Sequence, residues 1–147
     1  ESDIKEIKGI GLLDIETVFM SEKITSLLRA KLNDNFIEGI HNSLKGYEIH
    51  MGETTGDIGI FTIERLSMNH QRFVKDGSRN SNVWGTYIHG LFENDSFRTA
   101  LINYLRQRKN LPPRNLMIEY NKMKEYTFDK LADFIQKYLD IDFLEHI

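Results

Sequence analysis

The sequence predicts an α/β chain that is rich in strands over its first two thirds and helical toward its C-terminus. Three observations carry that prediction. Runs of apolar and β-branched residues, punctuated by glycine and by Asn/Asp turn signals, recur as far as Ile88. The spacing then becomes helical at Phe97, Ala100, Leu101, Tyr104 and Leu105. Beyond Pro112-Pro113 a second helical stripe appears, made of Phe128, Leu131, Phe134, Ile135, Tyr138 and Leu139.

In chain order, Gly9 to Phe19 sets β-branched and apolar residues behind two glycines and reads as a strand entering from a turn. Lys23 to Leu32 is ambiguous, because Ile24, Leu27, Leu28 and Leu32 also fit one helical face. Asn33-Asp-Asn35 is a turn signal. Leu44 to Met51 and Gly59 to Leu66 read as strands separated by the polar Gly52-Glu-Thr-Thr-Gly-Asp57. Asp76 to Asn82 reads as a solvated loop, and Val83 to Ile88 as a strand running into His89. Asn94-Asp-Ser96 offers helix-capping side chains for the first helix, which the proline pair ends. The last helix is signalled from Thr127, with Asp129, Lys130, Asp133 and Lys137 opposite its apolar stripe. That stripe is either core or a docking seam. Asp14 and Glu16 fall on the polar face of a strand, and Trp84 reads as core or rim packing.

At 147 residues the chain is long enough for one domain with its own core and too short for two. Its formal charge of −3 carries no basic stripe, so a nucleic-acid partner is not expected. No apolar run has the length of a membrane span and no leader pattern opens the chain, which leaves the cytoplasm as the expected location. The absence of cysteine excludes a disulfide framework and a thiolate zinc site. Five scattered histidines, with His41, His70 and His146 at no ligand spacing, give no metal site either.

Two histidines differ from the rest. His50 and His89 each end a strand-like run and are followed at once by Met-Gly or Gly, a setting that exposes an imidazole instead of packing it. A lone strand-end histidine is ordinarily structural, so the segments around these two have to decide their role.

Those segments are similar to a known family. Gly9-Ile-Gly-Leu-Leu-Asp-Ile-Glu-Thr-Val-Phe19, Gly46-Tyr-Glu-Ile-His-Met-Gly52, Val83-Trp-Gly-Thr-Tyr-Ile-His-Gly-Leu-Phe92 and Leu131 to Asp142 resemble, in order, the later part of the C-terminal glutamine amidotransferase domain of the cobyric acid synthase family. The resemblance favours a strand for Lys23 to Leu32. It implies a three-layer α/β domain of the class I, flavodoxin-like type, of which residues 1–147 are the C-terminal portion. It also implies a reaction: a cysteine on a strand-to-helix elbow attacks the side-chain amide of glutamine, and a histidine protonates the departing ammonia.

By motif position His89 matches the family's catalytic histidine, the role that the resemblance implies for it. Tyr47, Glu48, His50 and Tyr87 are the expected substrate-binding or supporting residues, His50 chiefly as a hydrogen-bonded fixture and Tyr87 as a wall of the glutamine pocket. Leu91 stands where triad-type relatives carry the acid that orients the imidazole, and Glu48 is one candidate for that task. Glu53 stands where the family commonly has arginine. The nucleophile has no counterpart here, so the chain is expected to be a fragment without the elbow and without the N-terminal ATP-dependent synthetase domain, inactive alone. The resemblance implies glutamine and, through the synthetase domain, a corrinoid as partners. ATP and magnesium are expected in that domain and no cofactor in this chain. Apolar surface uncovered by the truncation favours self-association. Cobyrinic acid a,c-diamide synthase and a lipid-precursor amidotransferase subunit share the architecture. A non-catalytic binding module on the same scaffold is the reading from another class.

Overall fold

One long strand organises the chain. β1 (Ile15–Leu32) pairs antiparallel with β2 (Leu44–Gly56) along one edge and with β3 (Phe61–Arg65) along the other. β4 (Phe73–Asp76) completes a sheet in the order β2-β1-β3-β4. β5 (Ser78–Asn80) and β6 (Val83–Gly85) form a small second sheet. A 3₁₀ turn at Leu91–Glu93 leads into α1 (Asp95–Arg108), and α2 (Tyr120–Tyr138) comes last. This computed structural model describes residues 5–40, 43–66, 71–115 and 119–139.

The ambiguous stretch from Lys23 to Leu32 is strand. Ser26, Leu28 and Ala30 are buried while Thr25, Leu27, Arg29 and Lys31 between them are exposed, the alternation of a strand with one covered face. Pairing with β2 from Ile24 to Ala30 and with β3 from Leu28 to Leu32 engages its main chain, which outweighs the helical spacing of its leucines. The inner face carries the core: Leu28, Ala30, Leu44, Phe61 and Ile63 from the sheet, covered by Ile88, Leu91 and Phe97. Phe97 anchors α1 there, with no exposed surface. Trp84 packs between Phe36 and Phe97, at centroid distances of 5.9 and 6.0 Å.

Several expectations need correction. The first strand starts at Ile15, because Gly11 to Asp14 bend. Gly52 to Gly56 is no separator; it continues β2 and pairs with Ile15 to Phe19, the register slipping between Phe19 and Ile24. Asp76 to Asn82 is not a solvated loop, since Asp76, Gly77 and Ser78 are buried and Ser78–Asn80 is β5. The strand expected to reach Ile88 stops at Gly85. Asn94 sits at the N-cap of α1 without a side-chain capping bond. α2 starts at Tyr120, ahead of Thr127, and none of its residues is buried, so its apolar stripe is not core here. His41, His70, His146 and the end of the Leu131 to Asp142 segment lie outside the described residues. Among the described residues no helix is long and apolar enough to cross a membrane.

Candidate functional site

β2 would be an open edge but for the segment after β6. His89 forms an isolated antiparallel bridge with Tyr47, donating its N–H to the Tyr47 carbonyl at 2.8 Å and accepting from the Tyr47 N–H at 3.2 Å. Beside it the Asn94 amide takes the place of a strand residue. Its Oδ1 accepts from the Lys45 N–H and its Nδ2 donates to the Lys45 carbonyl, both at 2.8 Å. The approach needs Gly46, where a Cβ would stand 2.6 Å from the His89 carbonyl oxygen and 2.7 Å from Ile88 Cγ2. Directly opposed residues in an antiparallel pair project to the same face. Tyr47 and His89 therefore stand together on the outer face, and their rings stack at 5.1 Å and 13°. Both residues are exposed. After His89 the chain turns at Gly90, whose φ of 72° is the left-handed region that glycine adopts without strain.

On the inner face of β2 the character is different. Glu48, 1 % exposed, accepts from Arg65 Nε at 2.5 Å and Nη2 at 3.0 Å, a two-pronged carboxylate–guanidinium pair. Its Oε2 also meets His50 Nε2 at 3.0 Å, while His50 Nδ1 meets the Gly52 carbonyl at 2.8 Å. Burial pushes the Glu48 carboxyl up, but the hydrogen bonds and positive charge of Arg65 and His50 outweigh it and hold the group below its ordinary value. The His50 ring stacks on Tyr87 at 4.3 Å, and the Tyr87 hydroxyl hydrogen-bonds Thr54 Oγ1 at 2.9 Å. These groups border a cavity of about 530 Å³ whose walls include Ile24, Val74 and Asp76.

Asp76 explains why Tyr87 and His89 face opposite ways. Its carboxylate accepts from the Thr86 hydroxyl and the Tyr87 N–H, and Thr86 Oγ1 accepts from the Ile88 N–H. The knot bends the chain between β6 and His89, sending Tyr87 inward and His89 outward. Burial raises the Asp76 carboxyl above its ordinary value even though these hydrogen bonds oppose it.

The structure thus divides the expected site. Glu48, His50 and Tyr87 come together on the inner face; Tyr47 and His89 come together on the outer one. Glu48 is not placed to orient His89, because its carboxylate is committed to Arg65 and His50 across the sheet. His50 has both ring nitrogens engaged, one with Glu48 and the other with the Gly52 carbonyl. Among the described residues no hydrogen bond reaches the His89 ring. Arg65, Asp76 and Thr86 did not stand out in the sequence, and Asn94 did so only as a helix cap, not as the residue that binds the Lys45 main chain. Arg65 had a signal: it comes after Phe61 and Ile63 at period two, so it shares their inward face and needs a buried acid. Among the described residues no group of three or more His, Asp or Glu side chains could hold a metal ion.

Comparison with known proteins bears on the same segments. The cobyric acid synthase of Thermodesulfovibrio yellowstonii is 47% identical over 143 residues, covering 97% of this chain and 28% of the relative. That of Thermoanaerobacter sp. is 40% identical over 149 residues, with 96% and 29% covered, and that of Klebsiella pneumoniae 40% over 150, with 97% and 29%. The chain spans less than a third of the length of these curated relatives. A family model for the CobB/CobQ-like glutamine amidotransferase domain matches residues 1–97, which include β1 to β6, the Tyr47–His89 bridge and the Glu48–His50–Arg65 cluster. The chain belongs to the CobB/CobQ-like glutamine amidotransferase family.

Proposed function

We propose that this chain supplies the acid/base imidazole, His89, to a glutamine-hydrolysing centre whose thiolate lies on a segment outside these 147 residues. The observation that carries the reading is the contrast between the two histidines, His50 within β2 and His89 on the bridge that follows β6. His50 has both ring nitrogens engaged within a buried ion cluster, whereas His89 is exposed, with its main chain pinned on both sides by Tyr47. An imidazole held in place and open to a reacting group suits proton transfer near neutral pH.

In the proposed reaction a cysteine thiolate attacks the side-chain amide carbon of glutamine and forms a tetrahedral adduct. His89, protonated, gives its proton to the amide nitrogen as the C–N bond breaks and ammonia leaves a thioester. Water then attacks the thioester carbon and surrenders a proton to His89. The C–S bond breaks, releasing glutamate and thiolate. Tyr47, Glu48, His50 and Tyr87 support the site, His50 and Glu48 by stiffening the inner face of β2. Residues 1–147 form the C-terminal portion of a three-layer flavodoxin-like amidotransferase domain. The ammonia serves amidation of corrin carboxylates toward cobyric acid in a synthetase domain, which uses ATP and magnesium in the cytoplasm.

The test is His89→Ala in the full-length gene product. Glutamine-supported synthesis is expected to vanish while synthesis from free ammonium survives. Survival of the first, or loss of both in a folded variant, overturns the assignment. The 147-residue chain by itself is expected to show no glutamine turnover, having no thiol.

A further inference from the structure

A proton-transferring imidazole needs its ring plane held, and a carboxylate is the usual means. None does so here among the described residues. Glu48 is bonded to Arg65 and His50 on the other face, Glu93 pairs with Lys124 at 3.7 Å, and Leu91 is buried in the core. What the His89 ring does meet is an aromatic face. The Tyr47 ring lies nearly parallel to it, 13° between planes and 5.1 Å between centroids, an offset stack.

We infer that Tyr47 is the positioning residue for His89: its ring sets the plane of the imidazole while its main-chain N–H and C=O set the position. The inference rests on the proposed role of His89. Two features make the stack rigid. The bridge between the two residues carries both of its hydrogen bonds, so the rings start from adjacent Cα atoms on one face. Asn94, bonded to the neighbouring Lys45, keeps the segment from peeling off the edge of β2. The Tyr47 hydroxyl plays no part in the ring stack, so phenylalanine should serve as well.

The experiment compares Tyr47→Leu, Tyr47→Phe and His89→Ala in the full-length gene product, measuring kcat and KM for glutamine, synthesis from free ammonium, and the His89 ring proton resonances. Tyr47→Leu is expected to lower kcat about tenfold, the rate equivalent of one stacked pair, with KM for glutamine and the ammonium reaction little changed. Loss of the ring current should shift the His89 resonances downfield, and Tyr47→Phe should restore both rate and shift. An unchanged kcat in Tyr47→Leu, failure of Phe to restore it, or unmoved His89 resonances overturns the inference. Glutamine turnover surviving in His89→Ala instead overturns the role of His89 itself, an outcome that stands apart from the Tyr47 results.

Discussion

Glu48 and His89 stand on opposite faces of the sheet at β2: Glu48 points inward to Arg65, and His89, bridged to the Tyr47 that precedes Glu48, stacks on its ring on the outer face. A single step along β2 thus separates a buried carboxylate–guanidinium pair from an open imidazole, and each can be perturbed alone.

Glu48→Gln leaves the Arg65 guanidinium buried without its counter-charge. A loss of about 3 kcal/mol is expected, at the lower end for breaking a buried pair, read from the urea midpoint. Arg65→Met should cost a similar amount. Glu48→Leu combined with Arg65→Met should cost less than either single change, because no charge is then stranded. A double variant weaker than both singles would contradict the account.

The acid limb of stability carries two opposed contributions. The Glu48 carboxyl is held below its ordinary 4.5, so its contribution is present above pH 4.5 and lost as pH falls through the lowered folded value. Glu48→Gln should therefore flatten the decline of stability in that window. The Asp76 carboxyl is raised above 3.8, so ionising it in the folded protein costs stability as pH rises through its folded value. Asp76→Asn should accordingly gain on the parent between pH 3.8 and neutrality. Urea midpoints measured across the range decide both signs.

Gly46→Ala places a methyl group against the His89 carbonyl oxygen and Ile88 Cγ2, at 2.6 and 2.7 Å. The first contact is main chain and cannot swing aside. A cost of roughly 1–3 kcal/mol is expected, together with faster hydrogen exchange of the His89 amide as the bridge opens. An unchanged His89 amide would show that the edge has another anchor.

Asn94→Ala removes both bonds to the Lys45 main chain. About 2 kcal/mol should go with them, and the Lys45 amide should lose its protection from exchange. Asn94→Asp keeps the acceptor for the Lys45 N–H but not the donor to its carbonyl, so it should fall between parent and alanine.

The strands around Leu44 and Phe61 and the helix from Phe97 were legible because each repeats apolar residues at its own period, a property of local sequence. Lys23 to Leu32 was not, since its leucines satisfy both periods and only the two neighbours that pair with β1 choose between them. Asp76 to Asn82 misled for the opposite reason. Its polar, turn-like composition signals solvent, yet the Asp76 carboxylate is enclosed by the hydroxyl and main-chain groups it ties together.

By themselves the residues determined the strand-then-helix order and the absence of any thiol; of the two imidazoles expected to be exposed, His89 is, whereas the His50 side chain is 12% exposed and packed against Glu48 and Tyr87. Tertiary structure alone decided that these histidines face opposite sides, with Glu48 serving Arg65 and His50, and His89 resting on Tyr47. The physical reason is that facing depends on register and on the bend held by Asp76 and Thr86. Both are set by pairing between segments far apart in the chain, which no local period encodes.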